Sequence, residues 1–146
     1  MAEPQERLDR IVQRLRAQGY RLTPQRMAIV RMIVHSHSHP TAEDIYNQVS
    51  VEFPMLSLAT VYKTLNVLKS LGEVTKLEVD GCSHYDSEVT THPHLICLRC
   101  CSITDLPPET MDKAPQEILA GTGFQALRWE IKIYGLCSQC QEQGKA

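Results

Sequence analysis

Residues 57–86 read SLATVYKTLNVLKSLGEVTKLEVDGCSHYD, and this stretch decides the fold of the N-terminal part of the chain. Ser57 is a helix-capping residue type. Leu58, Val61, Leu65 and Leu68 then recur at heptad-like spacing up to Gly72, which commits one side of a helix to a core. The other side carries Ala59, Thr60, Tyr62, Lys63, Asn66 and Lys69, and no acid intervenes between Ser57 and Glu73, so phosphate could approach it without repulsion. Glu73 to Val79 is strand-like, Asp80-Gly81 is a two-residue hairpin turn, and Cys82 to Asp86 returns. Helices followed by a β-hairpin spell a winged helix-turn-helix, with the Ser57 helix in the position that enters the major groove. The bland alternative is a small helical bundle with a solvated polar face.

Upstream, the sequence reads as three more helices with clear start signals. Leu8, Ile11, Val12 and Leu15 form one apolar stripe, which Gly19 ends. Thr23-Pro24 places a cap before a proline at the first helical position, and Ile29, Val30, Ile33 and Val34 supply the core face behind it. Thr41-Ala-Glu-Asp44 resembles a capping box with Asp in place of Glu, opening a helix through Ile45 and Val49 that stops before Pro54. The net charge of −2 does not by itself suggest a nucleic-acid binder, but the charge is polarised: seven arginines lie from Arg7 to Arg31 against one acid, Asp9. A basic arm beside an acid-free helix is an electrostatic footprint for double-stranded DNA. The candidate contacts are Arg21 and Arg26 with Ser57, Ala59, Thr60, Tyr62 and Lys63.

Downstream the character changes. Residues 87–93, Ser-Glu-Val-Thr-Thr-His-Pro, are polar and contain proline, as in a linker. The expected organisation is a winged-helix domain at 1–86, a hinge at 87–93 and a small α/β dimerisation domain at 94–146, an α+β protein as a whole. His94 to Cys97 and Ser102 to Asp105 are expected strands, Pro108 to Ala120 a helix broken by Gly121-Thr-Gly123, and Leu127 to Ile133 a strand with one apolar face. A domain this small is expected to associate with a copy of itself. A two-fold dimer of winged helices would read a palindromic site.

Two cysteine pairs, Cys97-Leu-Arg-Cys100 and Cys137-Ser-Gln-Cys140, belong to this second half. The chain begins Met1-Ala-Glu-Pro-Gln with no apolar signal segment, and no run is long enough to span a bilayer, which points to the cytoplasm and away from membranes. Disulfides are rare there, so the four cysteines are expected to hold a structural zinc in a closed thiolate shell, the alternatives being two disulfides or four buried thiols. Cys101 could exchange with Cys100 as a ligand, and Cys82 stands alone; each thiol is more often an inert small hydrophobe.

His92 and His94 share a face if the strand extends that far. With residues 98–101 as the turn, a simple hairpin register sets Cys97 opposite Ser102 and His94 opposite Asp105, with Cβ atoms about 5 Å apart. Two imidazoles and a carboxylate suit divalent iron, manganese or zinc; surface histidines on a linker are the alternative. An enzyme is disfavoured, since these motifs leave no spare Glu or His as a base beside an open metal position. A purely structural dimeric zinc protein remains a third reading.

Arg21-Leu-Thr-Pro-Gln-Arg26, His39-Pro-Thr-Ala-Glu-Asp-Ile-Tyr46, Ser57-Leu-Ala-Thr-Val-Tyr-Lys-Thr-Leu65, His92-Pro-His94-Leu-Ile-Cys97 and the terminal cysteine pair together resemble the ferric uptake regulator family of bacterial metal-dependent repressors. The resemblance runs from about residue 7 to residue 140. It implies a homodimer acting on a palindromic AT-rich operator, structural zinc on Cys97, Cys100, Cys137 and Cys140, and a regulatory metal, Fe2+ or Mn2+, on His39, Asp86, His92, His94 and Asp105. That metal would join the two domains. Asp rather than Glu at position 86 is similar to the peroxide-sensing branch, and Thr91, Pro93 and Trp129 stand where some iron sensors carry the ligands of an additional metal site. Similarity to that branch implies that His39 or His92 becomes oxidised when the iron form meets peroxide; an iron-, manganese- or zinc-responsive uptake repressor is the alternative. Two positions depart from the family pattern: Cys101 stands for a glycine, and Cys82-Ser-His-Tyr85 for a stretch that often has Arg before the aromatic residue.

Overall fold

The computed structural model describes residues 4–111 and 114–144, and the chain divides into two compact units, Met1–Val89 and Thr90–Ala146. The first unit contains α1 (Pro4–Ala17), α2 (Pro24–Val34), α3 (Ala42–Glu52) and α4 (Leu58–Ser70), followed by the antiparallel strands β1 (Thr75–Val79) and β2 (Cys82–Asp86). Each helix start is fixed by local chemistry. Thr23 accepts from the Arg26 amide, Thr41 and Asp44 form the reciprocal capping box, and Ser57 accepts from the Thr60 amide. Each cap satisfies a backbone donor that the helix itself leaves open.

The core of this unit is built from the faces that the sequence pattern marks. Ile11, Leu15, Ile29, Val30, Ile33, Ile45, Val61, Leu65 and Leu68 are all fully buried within one cluster. Leu58 is only half-buried, because it lies in the first turn of α4 at the rim of that cluster. Thr64 takes a core position instead, and its hydroxyl donates to the Thr60 carbonyl at 2.8 Å, which removes the penalty of burying it. Asp80 and Gly81, with φ of 49° and 78°, close the hairpin between Val79 and Cys82, the pair of positive φ values a two-residue turn needs.

An ionic clamp ties α1 to the end of α4. Gly72, at φ 70°, ends α4 with its amide on the Lys69 carbonyl and the Glu73 amide on the Leu68 carbonyl, so Glu73 turns inward. The buried Glu73 carboxylate pairs with Arg14 and, at 3.8 Å, with Arg7. The same guanidinium groups donate to the Glu73 carbonyl (Arg7, 2.8 Å) and the Leu71 carbonyl (Arg14, 2.7 Å). Two of the seven arginines that make the N-terminal segment basic are thus committed to the fold. Removing the carboxylate leaves the two guanidinium groups only these backbone carbonyls.

The second unit has a three-stranded sheet in the order β4-β3-β5, from β3 (His94–Cys97), β4 (Ile103–Asp105) and β5 (Lys132–Gly135). β3 and β4 are antiparallel with His94 opposite Asp105, the register expected from the cysteine turn, and the Cys97 amide donates to the Ser102 carbonyl at 3.0 Å. The third strand differs from expectation. It runs over Lys132–Gly135 rather than Leu127–Ile133, because the parallel register starts at His94 opposite Lys132, where the His94 amide donates to the Ile131 carbonyl at 3.0 Å. The helix expected over Pro108–Ala120 is likewise divided, into a 3-10 turn at Pro108–Met111 and α5 at Ala114–Leu119; residues 112 and 113, within that expectation, lie outside the described residues. A final helix, α6 (Ser138–Gln143), follows Cys137. Among the described residues no helix is long and apolar enough to cross a membrane.

Glu73→Ala is expected to lower the stability of the first unit by about 2 kcal/mol, with Glu73→Gln losing less because its amide oxygen still accepts one bond. Urea denaturation followed by far-UV circular dichroism measures both. Equal stability of Glu73→Ala and wild type would remove the clamp from the account.

Candidate metal centres and nucleic-acid surface

In the second unit the sulfur atoms of Cys97, Cys100, Cys137 and Cys140 all lie within 4.8 Å of one another, and none is in a disulfide. The Cys100 and Cys137 sulfurs are 3.8 Å apart. A tetrahedron with zinc–sulfur bonds of about 2.3 Å has edges of about 3.8 Å, so this spacing is that of a zinc shell and is far too long for a disulfide. The electrostatics agree. Backbone amides of Cys100, Cys137 and Arg99 turned toward Cys97 lower its thiol to about 6, favouring the thiolate that a metal needs. A hydrogen bond to the Ser102 hydroxyl lowers Cys100 as well. Burial, then the neighbouring Cys137 thiol, pushes Cys140 up to about 12. Thiols this close cannot all ionise unless a cation balances them, and the donor set fits zinc.

Cys101 directly follows the knuckle and adopts a left-handed backbone, φ 58°, with its amide bonded to the Cys97 carbonyl at 2.9 Å. This explains why a glycine would be at home there: a side chain in that conformation is strained. The distinct sites of Cys100, within the shell, and Cys101, on the turn, give each adjacent cysteine its own environment. Cys82 lies exposed at the first position of β2, immediately after the hairpin turn.

The second unit also assembles His92, His94 and Asp105. The His92 and His94 ring centroids are 4.4 Å apart, and both Nε2 atoms face Asp105 Oδ1, at 3.0 and 3.5 Å. His92 Nδ1 lies 2.7 Å from the Thr90 carbonyl, which can only accept, so the ring hydrogen belongs on Nδ1. That leaves the Nε2 lone pair aimed at a carboxylate oxygen, an arrangement that calls for a proton or a cation between them. A backbone carbonyl orienting the far nitrogen is also how metal-binding histidines are usually held.

The first unit supplies His39 and Asp86, both buried, with His39 Nε2 3.6 Å from Asp86 Oδ2. Asp86 ends β2 and accepts from the Glu88 amide at 2.7 Å through Oδ1, which fixes the rotamer that presents Oδ2. His39 has a left-handed backbone, φ 46°, which costs on the order of 1–3 kcal/mol in a residue with a Cβ. Strain of this kind persists only where the surroundings impose it. His35 and His37 lie outside these groups; His35 closes α2 through Nδ1 on the Arg31 carbonyl at 2.8 Å.

The candidate DNA-contacting residues occupy two places. Ala59, Tyr62 and Lys63 are exposed on α4, and Ser57 and Thr60 form its cap, with their hydroxyls 2.9 Å apart. Arg21 is exposed before α2, whereas Arg26 is half-buried and donates to the Arg21 carbonyl at 2.5 Å, bracing the turn that holds Arg21 out. The acid-free face read from the sequence acquires an acid in space. Glu43 of α3 accepts from the Tyr62 hydroxyl at 2.9 Å, and this hydrogen bond raises the tyrosine above its ordinary range. Glu43 was missed because its distance from Tyr62 in sequence hides a contact made by packing of α3 on α4.

A winged-helix unit followed by a unit with a four-thiol shell and a histidine–carboxylate cluster is the architecture of a metal-dependent DNA-binding regulator. Residues 17–134 match the model of the ferric uptake regulator family. The chain is 40% identical over 138 residues to the peroxide-responsive repressor PerR of Staphylococcus epidermidis, covering 94% of this chain and 92% of that protein. Among solved structures, the ferric uptake regulator Fur of Helicobacter pylori shares the fold with a TM-score of 0.87 at 22% identity, over 96% of this chain and 95% of that one. PerR of Streptococcus pyogenes, described in terms of peroxide sensing and gene regulation, matches at 33% identity with a TM-score of 0.53, over 92% of each chain. This chain belongs to the ferric uptake regulator family.

Cys97→Ser or Cys137→Ser is expected to abolish zinc retention and to unfold or monomerise the second unit, since metal binding and folding are one process in so small a core. Zinc content after desalting and size exclusion report it; a dimer that keeps its zinc would refute the four-cysteine assignment.

Proposed function

We propose that this protein is a homodimeric, metal-dependent repressor that binds a palindromic AT-rich operator in its metal-loaded form and releases it on exposure to peroxide. The observation that carries the reading is the pair of ligand sets, His39 with Asp86 and His92 with His94 and Asp105, one on each side of the short connection between the units. In the proposed site these five side chains hold one iron(II) or manganese(II) ion. An ion bound by residues of both units favours the arrangement in which all five can reach it, by its differential affinity for that arrangement. Metal binding thereby becomes a bias on how the two winged helices of a dimer meet the operator.

Relatives named as peroxide-responsive repressors at about 40% identity support peroxide as the signal, together with Asp rather than Glu at position 86. Bound iron(II) supplies reducing power for peroxide that manganese(II) does not. His39 and His92 are the imidazoles that take up oxygen in this reading, and losing one ligand dissolves the ion's hold. A zinc shell on Cys97, Cys100, Cys137 and Cys140 keeps the β3–β4 register while this happens. The apolar residues left exposed on and beside β5, Ile133, Tyr134 and Leu136, support a two-fold contact between copies through the second unit.

The decisive measurement is a gel-shift titration of metal-stripped and Mn-loaded dimer on palindromic AT-rich DNA. Binding is expected only with metal, and Asp86→Ala or His92→Ala should leave the dimer intact while abolishing it. Absence of binding in both forms would sink the repressor reading. Mass spectrometry of the iron-loaded protein after a brief peroxide pulse then separates the signals. One added oxygen on a His39 or His92 peptide is expected, whereas oxidation confined to Cys82 or Cys101 would point to a thiol mechanism. Lys63→Ala should weaken DNA binding across sequences and reduce the slope of log affinity against log salt by about one unit, the signature of a single phosphate contact. An unchanged slope would take Lys63 off the interface.

A further inference from the structure

We infer that His84 is a positioning residue for His39: it holds the left-handed backbone that turns the His39 imidazole toward Asp86. The inference rests on the regulatory-metal reading above and concerns only residues of the first unit. Four observations carry it. His84 Nδ1 lies 3.0 Å from the His39 carbonyl oxygen, an acceptor only, so the ring donates there. His84 also pairs with Thr41 in an isolated antiparallel bridge, and the Tyr85 amide donates to the Pro40 carbonyl at 2.9 Å, so the two residues that follow His39 are held against β2. His39 itself is one of only three non-glycine residues with a positive φ among the described residues. Finally, His84 and Asp86 are two apart on β2 and therefore project to one face of it.

The consequence is a grip on both ends of one residue by a single strand face. His84 takes the main-chain carbonyl of His39, and Asp86 faces its imidazole at 3.6 Å. The strained backbone needs such a restraint, because without the carbonyl contact His39 can relax to an ordinary negative φ and swing its ring away. His84 touches no metal in this account. It acts through His39, in the manner of the outer partners that orient ligands elsewhere.

The test compares His84→Leu with His84→Asn in the full-length, zinc-loaded dimer. These side chains are nearly the same size, but the Asn amide nitrogen sits at the same bond distance from the backbone as histidine Nδ1 and retains the donor. Manganese titration followed by electron paramagnetic resonance is expected to show affinity about 10- to 100-fold weaker for His84→Leu and close to wild type for His84→Asn. Zinc content and the thermal midpoint of protein lacking the second metal should be similar for both. In a His39→Ala background the Leu substitution should cause no further loss, since the residue it positions is gone. Equal manganese affinity in His84→Leu and wild type would overturn the inference alone, as would additive losses in the double variant or a loss that Asn does not rescue. A wild-type dimer that takes up no manganese beyond its zinc would overturn the functional reading and this inference with it.

Discussion

The turn between β3 and β4 governs the geometry of the second unit. Four sulfur atoms crowd within 4.8 Å of one another, and the amide groups of the turn point at one of them, so the hairpin is shaped around a charge that only a cation can neutralise. Because Cys97 is both the last residue of β3 and a member of that shell, the turn sets which residue of β4 faces which residue of β3. His94 opposite Asp105 is the result. A slip of one residue would send Asp105 to the other side of the sheet, away from both imidazoles. The four-thiol shell and the cluster of His92, His94 and Asp105 are therefore connected by strand register.

In the first unit a comparable role falls to β2. Its one strand carries Asp86, whose carboxylate faces His39, and His84, whose ring takes the His39 carbonyl. The helices behind it form an ordinary capped bundle, with Glu73 and its two arginines joining α1 to the end of α4. Basic side chains in this unit thus divide between structure and surface. Arg7 and Arg14 fasten the fold, Arg26 braces a turn, and Lys63 and Arg21 remain exposed.

Cys101 illustrates how a departure from a family pattern can be accommodated. The turn needs a left-handed residue at that place, and cysteine pays for this with backbone strain while its neighbour Cys100 belongs to the thiol shell. His84 is the other departure. Its ring reaches the backbone carbonyl of His39 directly, with Nδ1 at 3.0 Å.

Much of this was legible in the chain itself, because the relevant signals are local. Thr23, Thr41 and Ser57 announce their helices through hydrogen bonds three residues long, Asp80-Gly81 through its φ values, and the cysteine pairs through spacing; even His94 opposite Asp105 follows from counting residues around a short turn. What the sequence left undecided depends on partners far apart along the chain. The strand expected at Leu127–Ile133 settled at Lys132–Gly135 because a parallel neighbour has no turn to announce its register. Glu43 reaching Tyr62, Glu73 between two arginines of α1, and His84 beneath His39 are contacts across 19 or more residues. Periodicity carries no information about such pairs. Only the packing of helices and strands into a common core decides them.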